Sequence, residues 1–136
     1  GLTDVTSQLE QMIVLDALIT NEDRHWGNFG ALRDSESLEF IGLAPIFDNG
    51  NSLGDKAASV MRNRNADVSI AFNKTHTLEL KHVSSVVKVD WDGIMNHCME
   101  IVEHRYNKLV EPEFGVDRAH MIGQLIQERA KKLKTF

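Results

Sequence analysis

Two short polar motifs separated by an apolar stretch restrict what this chain can fold into more than any other feature. The first is Asn21-Glu22-Asp23-Arg24-His25-Trp26-Gly27-Asn28-Phe29-Gly30, and the second is Pro45-Ile46-Phe47-Asp48-Asn49-Gly50. Either alone is an ordinary polar turn, because Asp, Asn and Gly favour the conformations a turn needs. Their order and separation say more. Between them two apolar runs, Phe29 to Leu32 and Leu38 to Leu43, flank Arg33-Asp34-Ser35-Glu36-Ser37, the composition of a hairpin and its turn. A hairpin here carries the chain back on itself, so Asp48 returns to the loop that holds Asp23 and Asn28, although 25 positions separate the two aspartates.

The residue types point to phosphoryl transfer. Asn28 follows Asp23 by five positions, the interval between the catalytic-loop Asp and Asn of kinases, and Asp48-Asn49-Gly50 stands where Asp-Phe-Gly would follow. Carboxylate and amide oxygens are hard donors of the kind Mg²⁺ takes. Trp26 and Phe29 are bulky enough to anchor such a loop, and Gly27 is small enough to let it bend.

At these residues the chain resembles HipA-type serine/threonine kinases. Asp-Arg-His-x-x-Asn, an apolar strand and Phe-Asp-Asn-Gly-x-Ser-Leu are similar to the C-terminal lobe of those bacterial enzymes, with a more distant likeness to phosphoinositide kinases. The motifs cover roughly residues 5 to 55. The resemblance implies Asp23 as catalytic base, Asn28 and Asp48 as Mg²⁺ ligands and cofactor-binding residues, and ATP as phosphoryl donor. It further implies a cytoplasmic bacterial enzyme of toxin–antitoxin type, with a protein or other hydroxyl-bearing substrate and an antitoxin-like partner. The chain departs from the protein-kinase pattern by carrying Arg24-His25 after the Asp in place of His-Arg before it. Which side chain steadies the loop is therefore open. His25 is a candidate, either for that role or for neutralising charge in the transition state.

The remaining sequence sets the frame. With 136 residues, 42% of them hydrophobic and 26% charged, the expectation is one domain, mainly α with a small β-hairpin (α+β), like the helical C-lobe of a protein kinase. A net charge of −5 argues against direct nucleic-acid binding. No apolar run approaches the ~20 residues of a membrane span. Cys98, the single cysteine, excludes an intrachain disulfide and fits a small buried hydrophobe. No Gly-rich phosphate loop is present, and only one helix is expected before Asp23, so the nucleotide-binding N-lobe is expected to be missing.

That first helix is expected from about Asp4 to Leu18, with Val5, Leu9, Met12, Ile13 and Ala17 at helical spacing and a capping box from Ser7 to Glu10. Asp16 interrupts its apolar face, and reads as a residue at the polar edge ahead of a carboxylate supporting the loop. Residues 49 to 68 read as an irregular, activation-segment-like stretch containing Ser52 and Ser59 as phosphorylation sites and Arg62 and Arg64 as solvated or anion-pairing cations. Ser69 to Phe72 is a brief apolar patch; Thr75 to Val83 reads as a short helix holding Leu78 and His82; Val86, Val87 and Val89 are ambiguous. A helix capped by Asp90 or Asp92 should run to about Leu109 with Ile94, Met95, Cys98, Ile101, Val102, Tyr106 and Leu109 on its apolar side. After a break at Pro112 and Gly115, Asp117 should cap a last helix packing through Met121, Ile122, Leu125, Ile126, Ala130 and Leu133, and ending on Lys131, Lys132 and Lys134.

Three function classes stay open. A phosphotransferase lobe needs the missing lobe for activity; a kinase-like interaction module would have shed catalysis. A metal-dependent phosphohydrolase would use some of the six histidines with Asp23, Asp48, Asp90 and Asp92. His76, His82, His97, His104 and His120 read instead as exposed or capping residues, since neither a His-Asp dipeptide nor H-E-x-x-H occurs.

Overall fold

The computed structural model describes residues 4–53, 67, 74–84, 88–109 and 115–136, and of 105–109 and 115–118 the backbone alone. These residues form α1 (Val5–Ile19), β1 (Ala31–Arg33), β2 (Phe40–Leu43), α2 (His76–Leu80), α3 (Trp91–Leu109) and α4 (Gly115–Lys134). The chain is mainly α with one small antiparallel sheet. Gly54, Ser59, Arg62, Arg64, Ser69 to Phe72, Val86, Val87 and Pro112 lie outside the described residues, as do the side chains of Tyr106, Leu109 and Asp117.

α1 is the central element. It buries Met12, Ile13, Val14 and Ala17, and its Ile13, Val14 and Ala17 share a core with Leu80, Trp91, Ala130 and Leu133. A helix gripped by elements on more than one side needs apolar groups around much of its circumference, which explains why the run Met12-Ile13-Val14-Leu15 is unbroken. The chain leaves it abruptly at Thr20, in the left-handed region at φ 55°, with its N–H turned back to the Asp16 carbonyl. The capping box does not form. Asp4 occupies the N-cap without a side-chain bond, and the Glu10 carboxylate instead accepts from the Ser84 N–H and hydroxyl, each at 3.0 Å.

The hairpin pairs Ala31 with Leu43, Leu32 with Gly42 and Arg33 with Phe40, with a bulge between Leu32 and Arg33. Its turn is organised by Asp34, whose carboxylate accepts from the Ser37 N–H at 2.7 Å, the Ser37 hydroxyl at 2.9 Å and the Glu36 N–H at 3.1 Å. Those bonds hold the Asp34 carboxyl below its ordinary value, Ser37 being the main cause. At its other end the hairpin is tied to α1 by the Leu43 N–H, which donates to Gln8 Oε1 at 3.1 Å.

α3 and α4 pack antiparallel. Lys134 pairs with Asp92 at 2.7 Å, Gln127 donates to the Met95 carbonyl at 2.9 Å, and the Cys98 thiol points at the Gly123 carbonyl at 3.6 Å, so later positions on one helix meet earlier ones on the other. Gly123 lets α4 approach Met99 closely, since a Cβ there would stand 2.2 Å from Met99 Sδ and displace that side chain. Cys98 is buried, and burial pushes its thiol up, consistent with a packing role. Asp90 caps α3 through the Gly93 N–H at 2.9 Å. Two expectations change here. Ile101 is exposed because the face turned to α4 passes through Cys98 and Val102. α4 begins at Gly115, so Asp117 lies within its first turn and does not cap it.

α2 is the short helix expected near Thr75, which caps it through the Leu78 N–H. Its buried residues differ from the expectation, however. Leu78 and His82 face outward, while His76, Glu79 and Leu80 are buried. His76 is 1% exposed and so is neither a surface nor a capping residue. Neither ring nitrogen has a hydrogen-bond partner among the described residues, and Nδ1 stands 3.9 Å from Glu79 Oε2. Burial lowers the His76 pKa from its ordinary 6.5 and the Arg129 charge lowers it further, against the opposing pull of Glu79, Asp16 and Asp67.

The neutral ring therefore favours folding above the unfolded-state pKa, and this stability is lost as pH falls below it toward the lower folded-state pKa. We expect the parent protein's melting temperature to drop more steeply than that of His76→Gln between about pH 7.5 and about pH 5.5, a window that brackets the free imidazole pKa. Parallel curves would show that His76 carries no such linkage.

Candidate functional site

The 23–28 loop is built around a buried ion pair that begins on α1. Asp16, 3% exposed, faces Arg24, 1% exposed. Nε of Arg24 donates to Asp16 Oδ2 and Nη2 to Asp16 Oδ1, both at 2.9 Å, a two-pronged contact that fixes the guanidinium plane. Nη1 donates to the Asn28 carbonyl and to the Phe47 carbonyl, each at 2.7 Å, and Nη2 donates also to Asn49 Oδ1. All five N–H donors of the guanidinium are thus used, as burial of so polar a group requires.

This one side chain brings the two motifs together. The Asn28 carbonyl of the first and the carbonyl that precedes Asp48 in the second are bound to the same nitrogen. Backbone bonds from Glu22 to Asn51 at 3.2 Å and from Leu53 to Ile19 at 2.8 Å continue the contact, so residues 49–53 lie along the end of α1. The hairpin expected between the motifs is present, and Arg24 fastens its two ends.

The predicted site residues take different positions. Asp23 is half-buried, and its N–H donates to Asn21 Oδ1 at 3.1 Å; buried Asn21 in turn donates to Asp16 Oδ1 at 2.9 Å. Asn28 is 4% exposed, and its amide nitrogen donates to the Asp23 carbonyl at 2.8 Å, which leaves the amide oxygen as the atom able to ligate. Asp48 is exposed and adopts a left-handed backbone, φ 54°, a conformation Asp tolerates better than most residues. Its neighbours on both sides are held by Arg24 while its own carboxylate is not. His25 is exposed, and its Nδ1 accepts from the Gly27 N–H at 3.0 Å. The ring shapes a local turn, and steadying of the whole loop falls to Arg24.

Two outcomes differ from the sequence reading. Asp16 is the supporting carboxylate and does not lie on a polar edge. Arg24, expected only as part of a motif, is the centre of the network. The sequence did hold a signal, since an Asp within an apolar helix face needs a partner and an Arg eight positions on is the nearest cation. Ser52, half-buried, donates its hydroxyl to the Asn49 carbonyl at 2.6 Å. Among the described residues no group of three His, Cys, Asp or Glu is placed to hold a metal, and His82, His97, His104 and His120 are exposed, so the hydrolase arrangement finds no support in them. No helix among the described residues is long and apolar enough to cross a membrane.

A stretch of 50 residues, 37% of this chain, is 50% identical to the protein "Serine/threonine-protein kinase CtkA" of Helicobacter pylori. The chain is similar in part to a serine/threonine kinase. The matched stretch spans 15% of that kinase's length. No family model matches the chain, and no solved structure does. The likeness supports a kinase relationship at that coarse level.

Removing either member of the buried pair strands the other's charge. Arg24→Ala and Asp16→Ala are each expected to cost about 3–5 kcal/mol of unfolding free energy. In urea titrations the double variant should cost clearly less than the sum of the two, because both remove one interaction. Additive losses would show that the two residues act separately.

Proposed function

We propose that this chain is the metal- and acceptor-binding lobe of a Mg²⁺- and ATP-dependent serine/threonine protein kinase of HipA-like type. The observation that carries the reading is the shared attachment of the Asn28 and Phe47 carbonyls to Arg24, which sets the Asp23–Asn28 loop against the segment bearing Asp48. The partial likeness to a serine/threonine kinase supports it.

The donor set fits Mg²⁺. Asn28 offers an amide oxygen, its nitrogen being engaged at Asp23, and Asp48 offers an exposed carboxylate that Arg24 does not engage. When bound, the metal ion would supply charge neutralisation at the phosphates of the nucleotide. Asp23 is the base. Its carboxylate takes the proton of the acceptor hydroxyl as that oxygen bonds to the γ-phosphorus, and the bond from phosphorus to the departing ADP oxygen breaks. Arg24 touches none of the reacting groups and acts by holding the loop.

The nucleotide base and the rest of the protein have a surface to meet. A cleft of about 290 Å³ lies beneath the hairpin, lined among others by Gln11, Met12, Phe29, Gly30, Ala44 and Ile46. Beside it Leu32, Phe40 and Ile41 are exposed on the strands. We assign this apolar side to the adenine and to an N-terminal nucleotide-binding lobe. A cytoplasmic setting and an antitoxin-like protein partner belong to the same proposal.

In the full-length protein, Asp23→Asn is expected to lower the rate of phosphate transfer by a factor of about 10²–10⁴, the usual worth of a positioned base. Asp48→Asn should abolish transfer and weaken Mn²⁺ binding, read by electron paramagnetic resonance. Circular dichroism should be unchanged in both. Transfer at the parental rate by either variant would remove that residue from its assigned role, and a parent protein that transfers no phosphate from ATP would mean that the kinase-like lobe serves as an interaction module.

A further inference from the structure

The 23–28 loop has an inner and an outer face. Arg24 and Asn28 point inward, while His25, Trp26 and Gly27 face water, and Trp26 is 75% exposed. An indole is among the largest apolar groups a protein has, and ordinary folding would bury it. Here it stands three positions from Asp23.

The loop presents this ring rigidly. The His25 N–H donates to the Asp23 carbonyl and the Asn28 N–H to the His25 carbonyl, each at 2.9 Å, so the loop consists of successive tight turns. Gly27 leaves room for the His25 ring, which a Cβ there would approach to 2.9 Å. The indole leans on Phe29, with ring centroids 5.5 Å apart and planes inclined at 40°. A flat side chain with two rotatable bonds, already set against a neighbour, loses little entropy on taking a ligand.

We propose that Trp26 selects the phosphoryl acceptor, receiving an apolar or aromatic side chain next to the serine or threonine whose hydroxyl Asp23 deprotonates. The proposal rests on the kinase reading above and adds a substrate class to it. An acceptor whose hydroxyl is brought to half-buried Asp23 along the outer face of the loop passes Trp26, three positions on. An extended acceptor advances about 3.3–3.6 Å per residue, so the side chains one or two positions from the hydroxyl come abreast of a group placed as Trp26 is.

The test uses the full-length protein, ATP and serine peptides varied on either side of the acceptor. The parent should favour Trp, Phe, Leu or Met beside the serine. Trp26→Ala should raise KM for the best peptide about tenfold, as loss of one well-stacked ring implies, and erase the preference. KM for ATP and ATP hydrolysis without peptide should stay within about twofold, a small change on the same free-energy scale. Trp26→Phe should recover most of the peptide affinity. An unchanged preference in Trp26→Ala, or a rise in KM for ATP in place of KM for peptide, would overturn the proposal. Absence of any ATP-dependent phosphate transfer by the parent protein is a separate result that removes the kinase reading and this inference with it.

Discussion

One guanidinium governs how the rest of the site is arranged. Arg24 sits out of water with five donors to satisfy, and it satisfies them on Asp16, on the backbone of Asn28 and Phe47, and on Asn49. A buried ion pair contributes little net stability against an apolar replacement, because both charges must be stripped of water. What it contributes here is geometry. An apolar contact tolerates sliding, whereas five directed bonds permit a single arrangement of the three segments that supply the acceptors.

The same physics recurs one residue further along α1. Arg129, 6% exposed, reaches across from α4 to donate to the Ala17 carbonyl at 2.6 Å, next in sequence to Asp16. Nearby, Asp67 receives the Thr77 N–H at 2.8 Å. Burial acts to raise the Asp67 pKa, but the Thr77 bonds and the His76 and Lys132 charges outweigh it and hold the carboxyl below its usual range. α1 is therefore held at adjacent residues by two buried arginines, one ordering the loop and one fastening the helix to α4, and His76 shares the field of the second.

Much of this was legible in the residues. The polar turn between two apolar runs and the three- and four-residue repeats of α3 and α4 depend on local pattern. Local pattern is what a sequence displays. Burial against a distant partner is not. Nothing adjacent to His76 marks it as interior, because its surroundings come from Arg129, Asp67 and Asp16, remote in the chain. Ser7 and Glu10 had the spacing of a cap, yet Ser84 lies 74 positions away and takes the carboxylate. Ile101 followed the helical repeat to a face that α4 does not cover. In each case a tertiary contact decided between options that local preference left nearly equal.

The fastening at Arg24 also separates the hairpin into two parts with different freedoms. Residues 29–30 and 44–49 begin and end at the clamp, but the tip from Asp34 to Leu38 is held by its own internal bonds and shares none with the loop. Insertions or deletions at the tip would leave the spacing between the two motifs in space as it is, whatever they did to the spacing in sequence. Among natural variants of this chain, the length of that excursion is where divergence can accumulate without disturbing the clamp.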